Sequence, residues 1–122
     1  MRTVALLLAV FHGLNGIAML AAPDAWYLAV PGVTGTGPAN THFIRDIGLA
    51  FLAAAAALLL WRRQPLAAIL APAALFLGGH AGLHLVEMVA HRVSAAEAVR
   101  DFATIVIPGF LPVWFTVAGS RS

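Results

Sequence analysis

The chain has 122 residues, of which 61% are apolar and 10% charged, with a mean hydropathy of +0.92, whereas soluble domains run about 45 to 50% apolar and about 25% charged. A water-soluble globule is excluded, because a chain this short cannot bury so much apolar surface in its own core and lipid must supply the rest. Seven basic residues, all arginine, face five acids; in a membrane protein so small an excess sets orientation, and no nucleic-acid partner is expected.

Cysteine is absent, which removes disulfides, thiolate metal sites, iron–sulfur clusters and catalytic thiols. A helical crossing takes roughly 20 apolar residues, so the length predicts an all-α, integral membrane four-helix bundle as one domain, with spans at about 3–22, 41–61, 65–92 and 95–118. Arg2 and the run VALLLAV resemble a signal peptide. His12, Gly13, Asn15 and Gly16 interrupt that run, and Leu20-Ala21-Ala22 is a poor cleavage site, so the first segment is expected to stay as a membrane helix.

Residues 23–40 are rich in Pro, Gly and Thr, and Trp26 and Tyr27 suit the headgroup region, so this connection is expected to lie on the membrane surface. Asn40 predicts the N-cap of the second span. Arg62-Arg63-Gln64-Pro65 predicts a tight turn with Pro65 at the first helical position of the third span. Ser94 and Glu97 form an S-x-x-E capping box before the fourth helix, with bends expected at Pro108 and Pro112. Arg2, Arg62, Arg63 and Arg121 fall at one end, against Arg92 and Arg100 at the other. The expected orientation has both termini cytoplasmic, in a bacterial inner membrane.

Ionisable residues inside spans are costly and mark functional candidates. On the third helix His80, His84, Glu87 and His91 share an arc of roughly 60° at about 100° per residue. On the second helix His42 and Asp46 are spaced i,i+4 with Arg45 beside them. His12 sits on the first helix with Asn15 and Gly16 on its side, and Arg100, Asp101 and Thr104 on the fourth. Counting about 1.5 Å per residue from the outward ends places His42, His91 and Asp101 near the rim. Arg45, Asp46, His84 and Glu87 fall roughly 6 to 12 Å down, with His12 and His80 near mid-membrane.

These residues predict an outward-facing transition-metal site with His42, Asp46, His84, Glu87 and His91 as the ligand pool and His80 and His12 as deeper members. Imidazole and carboxylate admit Zn, Cu, Fe or Mn where no thiolate is available. Arg45 is the expected electrostatic partner of Glu87, Asp46 or Asp101. A second reading is a b-type haem held by His12 and His80, each flanked by glycines, or a membrane redox protein that binds quinone. A third is an ion-pair network that pins the helices and binds no ligand. No nucleophile stands out for acyl transfer, and the inner half of the bundle offers no polar steps for a proton pathway within one subunit. A homo-oligomer or membrane-complex partner is compatible with the sequence, beside the lipid bilayer itself.

The segment PGVTGTGPANTHFIRDIGLAFL, from Pro31 to Leu52, resembles small uncharacterised four-span bacterial membrane proteins. The resemblance rests on the P-G-V to T-G-P loop and the H-F-x-R-D-I-G start of the second helix. The overall layout is loosely similar to DoxX-like proteins. The resemblance implies a fold and carries no activity or ligand.

Overall fold

In the computed structural model, which describes residues 1–90 and 93–119, the chain is helical and has no strand among those residues. Helix α1 spans Arg2–Ala21, and a break at Ala22 leads directly into the seven-residue α2, Pro23–Ala29, with Pro23 at its first position. A loop with one 3-10 turn, Val33–Thr36, then reaches α3, Thr41–Arg63. The predicted cap is present: the Asn40 side chain accepts a hydrogen bond from the Phe43 amide at 3.0 Å. Helix α4, Ala67–Val89, begins two residues later than predicted. The Leu66 amide donates to the Gln64 carbonyl at 2.7 Å, so Pro65 sits at the centre of a three-residue turn that its fixed φ suits and stays outside the helix.

The fourth span consists of α5, Ala95–Asp101, a π-helical stretch at Phe102–Val106, and α6, Ile107–Gly119. Its start is the predicted capping box: Ser94 accepts from the Glu97 amide, and the Glu97 carboxylate accepts from the Ser94 amide at 2.8 Å. The disturbance expected at Pro108 takes the form of the π stretch just before it. Proline has no amide hydrogen to bond the carbonyl four residues back, and its ring crowds that carbonyl, so the preceding turn widens. Pro112 lies inside α6.

Helix α1 packs on α3, α3 on α4, and α4 on α6. The interior is built from Leu8, Met19, Phe51, Leu58, Leu77 and Phe115, with Trp61 stacked on Phe115 at 5.2 Å and 7°. Outward faces are apolar as well, with Leu7, Leu14, Leu75 and Leu83 all more than half exposed. Four helices, Arg2–Ala21, Thr41–Arg63, Ala67–Val89 and Ala95–Ala118, are long and apolar enough to cross a membrane. Together with the apolar outer surface, that is the character of a membrane protein.

Helices α1 and α3 meet closely at two glycines. A Cβ on Gly16 would stand 2.7 Å from the Gly48 carbonyl oxygen, and one on Gly48 would stand 3.0 Å from the Gly16 carbonyl oxygen and 2.9 Å from Met19 Cβ. Backbone thus meets backbone, the use that membrane helices make of small residues. On α4, Gly79 and Gly82 face open space. We expect Gly16→Ala and Gly48→Ala to lower stability in micelles by about 1 to 3 kcal/mol through overpacking. Gly79→Ala and Gly82→Ala should stay level or gain up to about 1 kcal/mol from helix propensity, as read by denaturant unfolding.

Candidate functional site

The glycine contact fixes the rotation of α3, and that rotation divides the predicted polar residues into two groups. Ile44, Gly48 and Phe51 face the interior, so His42, Arg45 and Asp46 face outward and are exposed. His42 Nε2 lies 3.4 Å from Asp46 Oδ2, with the side chains 89% and 55% exposed, and Arg45 Nε donates to the Leu20 carbonyl at 3.3 Å. The predicted convergence of His42 and Asp46 with His84 and Glu87 therefore does not occur. Arg45 also forms no salt bridge with Glu87, Asp46 or Asp101 among the described residues. His91 lies outside the described residues.

The interior group is centred on Asp101. Its carboxylate is 6% exposed and joins two elements: Oδ2 is 3.0 Å from His84 Nδ1 on α4, and Oδ1 accepts from Arg100 Nε and Nη2, each at 2.7 Å. Asp101 was expected near the rim. It instead lies six residues into α5, level with His84 five residues from the end of α4, which is why the two side chains meet. A buried carboxylate needs such partners to remain charged. Where Nδ1 carries the proton shared with the carboxylate, the second ring nitrogen, Nε2, is free to meet another group. His80, one turn below, sets its ring edge-on to His84 at 4.9 Å between centroids.

The connection between α1 and α3 closes over this network. Trp26 Nε1 donates to Asn15 Oδ1 at 2.9 Å, and the Tyr27 hydroxyl donates to the Gly37 carbonyl at 2.7 Å. The first bond ties α2 to α1 and the second closes the loop on itself, and both aromatics pack on the core. Gly32 adopts φ +89°, and a Cβ there would stand 3.2 Å from Arg100 Nη2. Glycine supplies the left-handed turn and lets the loop lie on the guanidinium.

Between loop and bundle is a cavity of about 1080 Å³. One wall carries His80, His84, Glu87, Arg100 and Asp101, and the others are largely apolar and aromatic, including Phe11, Trp26, Tyr27, Phe43 and Phe51. His12 lines the cavity and is 4% exposed, and neither ring nitrogen has a hydrogen-bond partner. It stacks on Phe51 at 5.6 Å and 17° and meets Phe11 edge-on at 5.1 Å. Phe51 also stands edge-on to His80 at 6.1 Å. A flat macrocycle bridging His12 and His80 would have to displace that ring.

Among the described residues no group of three or more His, Cys, Asp or Glu side chains converges closely enough to hold a metal ion. Of the predicted site residues, the structure gathers His12, His80, His84, Glu87 and Asp101 around one cavity and leaves His42, Arg45 and Asp46 outside it. The sequence sets Arg100 beside Asp101 without pairing them, and gives the cavity's aromatic residues no role. The pairing had a signal in the equal depths of His84 and Asp101 below their helix ends. The folded-back loop had none that periodicity could supply.

Asp101→Ala would leave Arg100 and His84 without their shared acceptor and should destabilise the protein by about 3 kcal/mol. His42→Ala and Asp46→Ala, on the exposed face, should stay within about 0.5 kcal/mol; unfolding in micelles measures both. No protein-family model, curated protein or solved structure matches this chain.

Proposed function

We propose that the chain is a multi-pass protein of a bacterial inner membrane, with both termini cytoplasmic, that binds one small amphipathic organic molecule in the cavity at its outward end. The observation that carries this reading is the cavity itself, about 1080 Å³ with a polar wall around His84 and Asp101 opposite aromatic side chains. Pockets for small organic ligands run about 300 to 1,000 Å³, mostly apolar with a few fixed polar groups. A lone metal ion needs far less space. Asp101 orients His84, and the ring presents Nε2 to a ligand headgroup while the aromatic walls take the apolar body.

The experiment is a titration of the protein in lipid nanodiscs with N-phenyl-1-naphthylamine, an uncharged amphiphile whose fluorescence rises in apolar surroundings. Saturable signal above that of empty nanodiscs is expected, and it should weaken in Ile105→Trp, which narrows the cavity that Ile105 lines. A signal no greater than that of empty nanodiscs would overturn the reading.

The sequence-based metal reading keeps one specific support. Metal-binding histidines commonly hold their second ring nitrogen against a carboxylate, as His84 does against Asp101 at 3.0 Å, and His80 and Glu87 line the same wall. Zinc, copper, iron or manganese would then bind through His84 Nε2. Elemental analysis after mild purification decides it: about one equivalent per chain, lost in His84→Ala, supports a metal, and fewer than about 0.2 equivalents rejects it.

A further inference from the structure

The four spans pack in a row: α1 on α3, α3 on α4, and α4 on the fourth span, whereas α1 and the fourth span make no comparable contact among the described residues. The bundle therefore has a seam along one side. A crevice of about 280 Å³ lies in that seam, lined by Val4, Leu7 and Phe11 of α1 and by Ala103, Thr104 and Pro108 of the fourth span. Its walls are apolar, because the Thr104 hydroxyl is taken up by the Arg100 carbonyl, to which it donates at 2.8 Å. Leu7 and Phe11 are exposed along it.

The seam joins the cavity already described. Phe11 and Thr104 line both spaces, so crevice and cavity adjoin at those two side chains. Their depths differ in a consistent direction. At about 1.5 Å per residue, His84 is roughly 8 Å from the end of α4, Leu7 roughly 21 Å from the end of α1, and Ala103 and Pro108 roughly 12 and 20 Å beyond the start of α5. The polar wall thus stands near the end of the bundle and the apolar crevice near its middle. A lipid in one leaflet places its headgroup and chain in that same order.

The polar wall calls for no charged headgroup. Arg100 is engaged by Asp101 through Nε and Nη2, Glu97 is held in its cap by the Ser94 amide, and Glu87 is exposed. His84 lines the cavity, and its Nε2 has no hydrogen-bond partner among the described residues. A hydroxyl can meet that nitrogen whether or not it carries a proton, since a hydroxyl both donates and accepts.

We infer that the ligand is an uncharged single-chain lipid, with its hydroxyl-bearing headgroup on His84 and its hydrocarbon chain laid in the seam between α1 and the fourth span. The assignment rests on the reading of the cavity as a small-molecule site and adds the ligand's class and its entry sideways from the leaflet. The chain gains little from the seam itself, because lipid tails are as apolar as leucine. What the opening does is let the headgroup reach His84 while the chain stays in hydrocarbon.

The test is displacement of N-phenyl-1-naphthylamine by 1-oleoylglycerol from the full chain in nanodiscs, in the wild type and in Ala103→Trp and Leu7→Trp, whose positions line the crevice and not the cavity. Partition into the nanodisc is common to all three and cancels. Oleoylglycerol affinity should fall roughly tenfold in both variants, the scale of an overpacking clash, with naphthylamine affinity unchanged. A monoacylglycerol carrying a diazirine in mid-chain, photolysed and mapped by mass spectrometry, should label Leu7, Phe11, Ala103 or Pro108 in adducts that excess oleoylglycerol removes. Labelling at Leu75, exposed on α4, should resist that competition. Seam labelling that is absent or not competed would overturn the inference, whether annular lipid or a second copy covers the seam. So would failure of oleoylglycerol to displace the naphthylamine from the wild type, or an oleoylglycerol affinity unchanged in both tryptophan variants. In each of these cases naphthylamine binding by the wild type would leave the small-molecule reading standing. Absence of that binding would remove the small-molecule reading and this inference with it.

Discussion

Where Gly16 and Gly48 meet, α1 and α3 touch backbone to backbone, with no room for a Cβ on either side. Glycine in a helix sacrifices about 1 kcal/mol of propensity, and here that cost is offset by the close approach of two helices along their length. The consequence reaches beyond packing. Once Gly48 faces α1, Ile44 and Phe51 must face inward with it, and His42, Arg45 and Asp46 must face out. A steric contact thus decides which titratable groups belong to the cavity. Phe51, carried inward by the same rotation, becomes the ring against which His12 stacks.

The other half of the site is organised by charge. Asp101 is the buried acceptor for both Arg100 and His84, and breaking such a group leaves unpaired polar atoms in surroundings that cannot solvate them. The carboxylate therefore fixes α4 relative to the fourth span at the depth where the cavity lies. Arg100 extends the constraint to the loop, because Gly32 packs directly against its guanidinium. Trp26 ties the same segment to α1 through Asn15, and Tyr27 closes the loop on itself through Gly37. The loop meets the ion pair at Gly32, and so closes the cavity on the side away from the bundle.

Hydropathy and caps made much of this fold legible. Four long apolar stretches, Asn40 and the Ser94–Glu97 box announced the helices and their starts, because caps and span lengths depend on local chemistry. The third helix also kept its polar stripe, with His80, His84 and Glu87 on one wall. The second helix differs, because equating its polar face with its inner face is an assumption. That assumption fails near a helix end, where polar side chains can reach water and the interior is set by Ile44, Gly48 and Phe51. Glycine spacing on α1 and α3 was visible, but one sequence does not say which glycine meets which. The loop's return over the site depends on two hydrogen bonds between residues ten and eleven apart, a scale at which no periodic pattern operates.

The π stretch at Phe102–Val106 has a consequence for how the fourth span does two jobs. At about 100° per residue, the five steps from Asp101 to Val106 would turn an unbroken α-helix about 140° beyond one full rotation. Asp101 and Val106 would then point in different directions. The wider turn takes up an extra residue and brings them back toward the same side, as their shared burial records. The span therefore behaves as two reading frames joined at a splice: an upper frame that aims the carboxylate and a lower one that packs the core. Changing the length of the splice by a single residue would shift one frame against the other without altering any side chain in either.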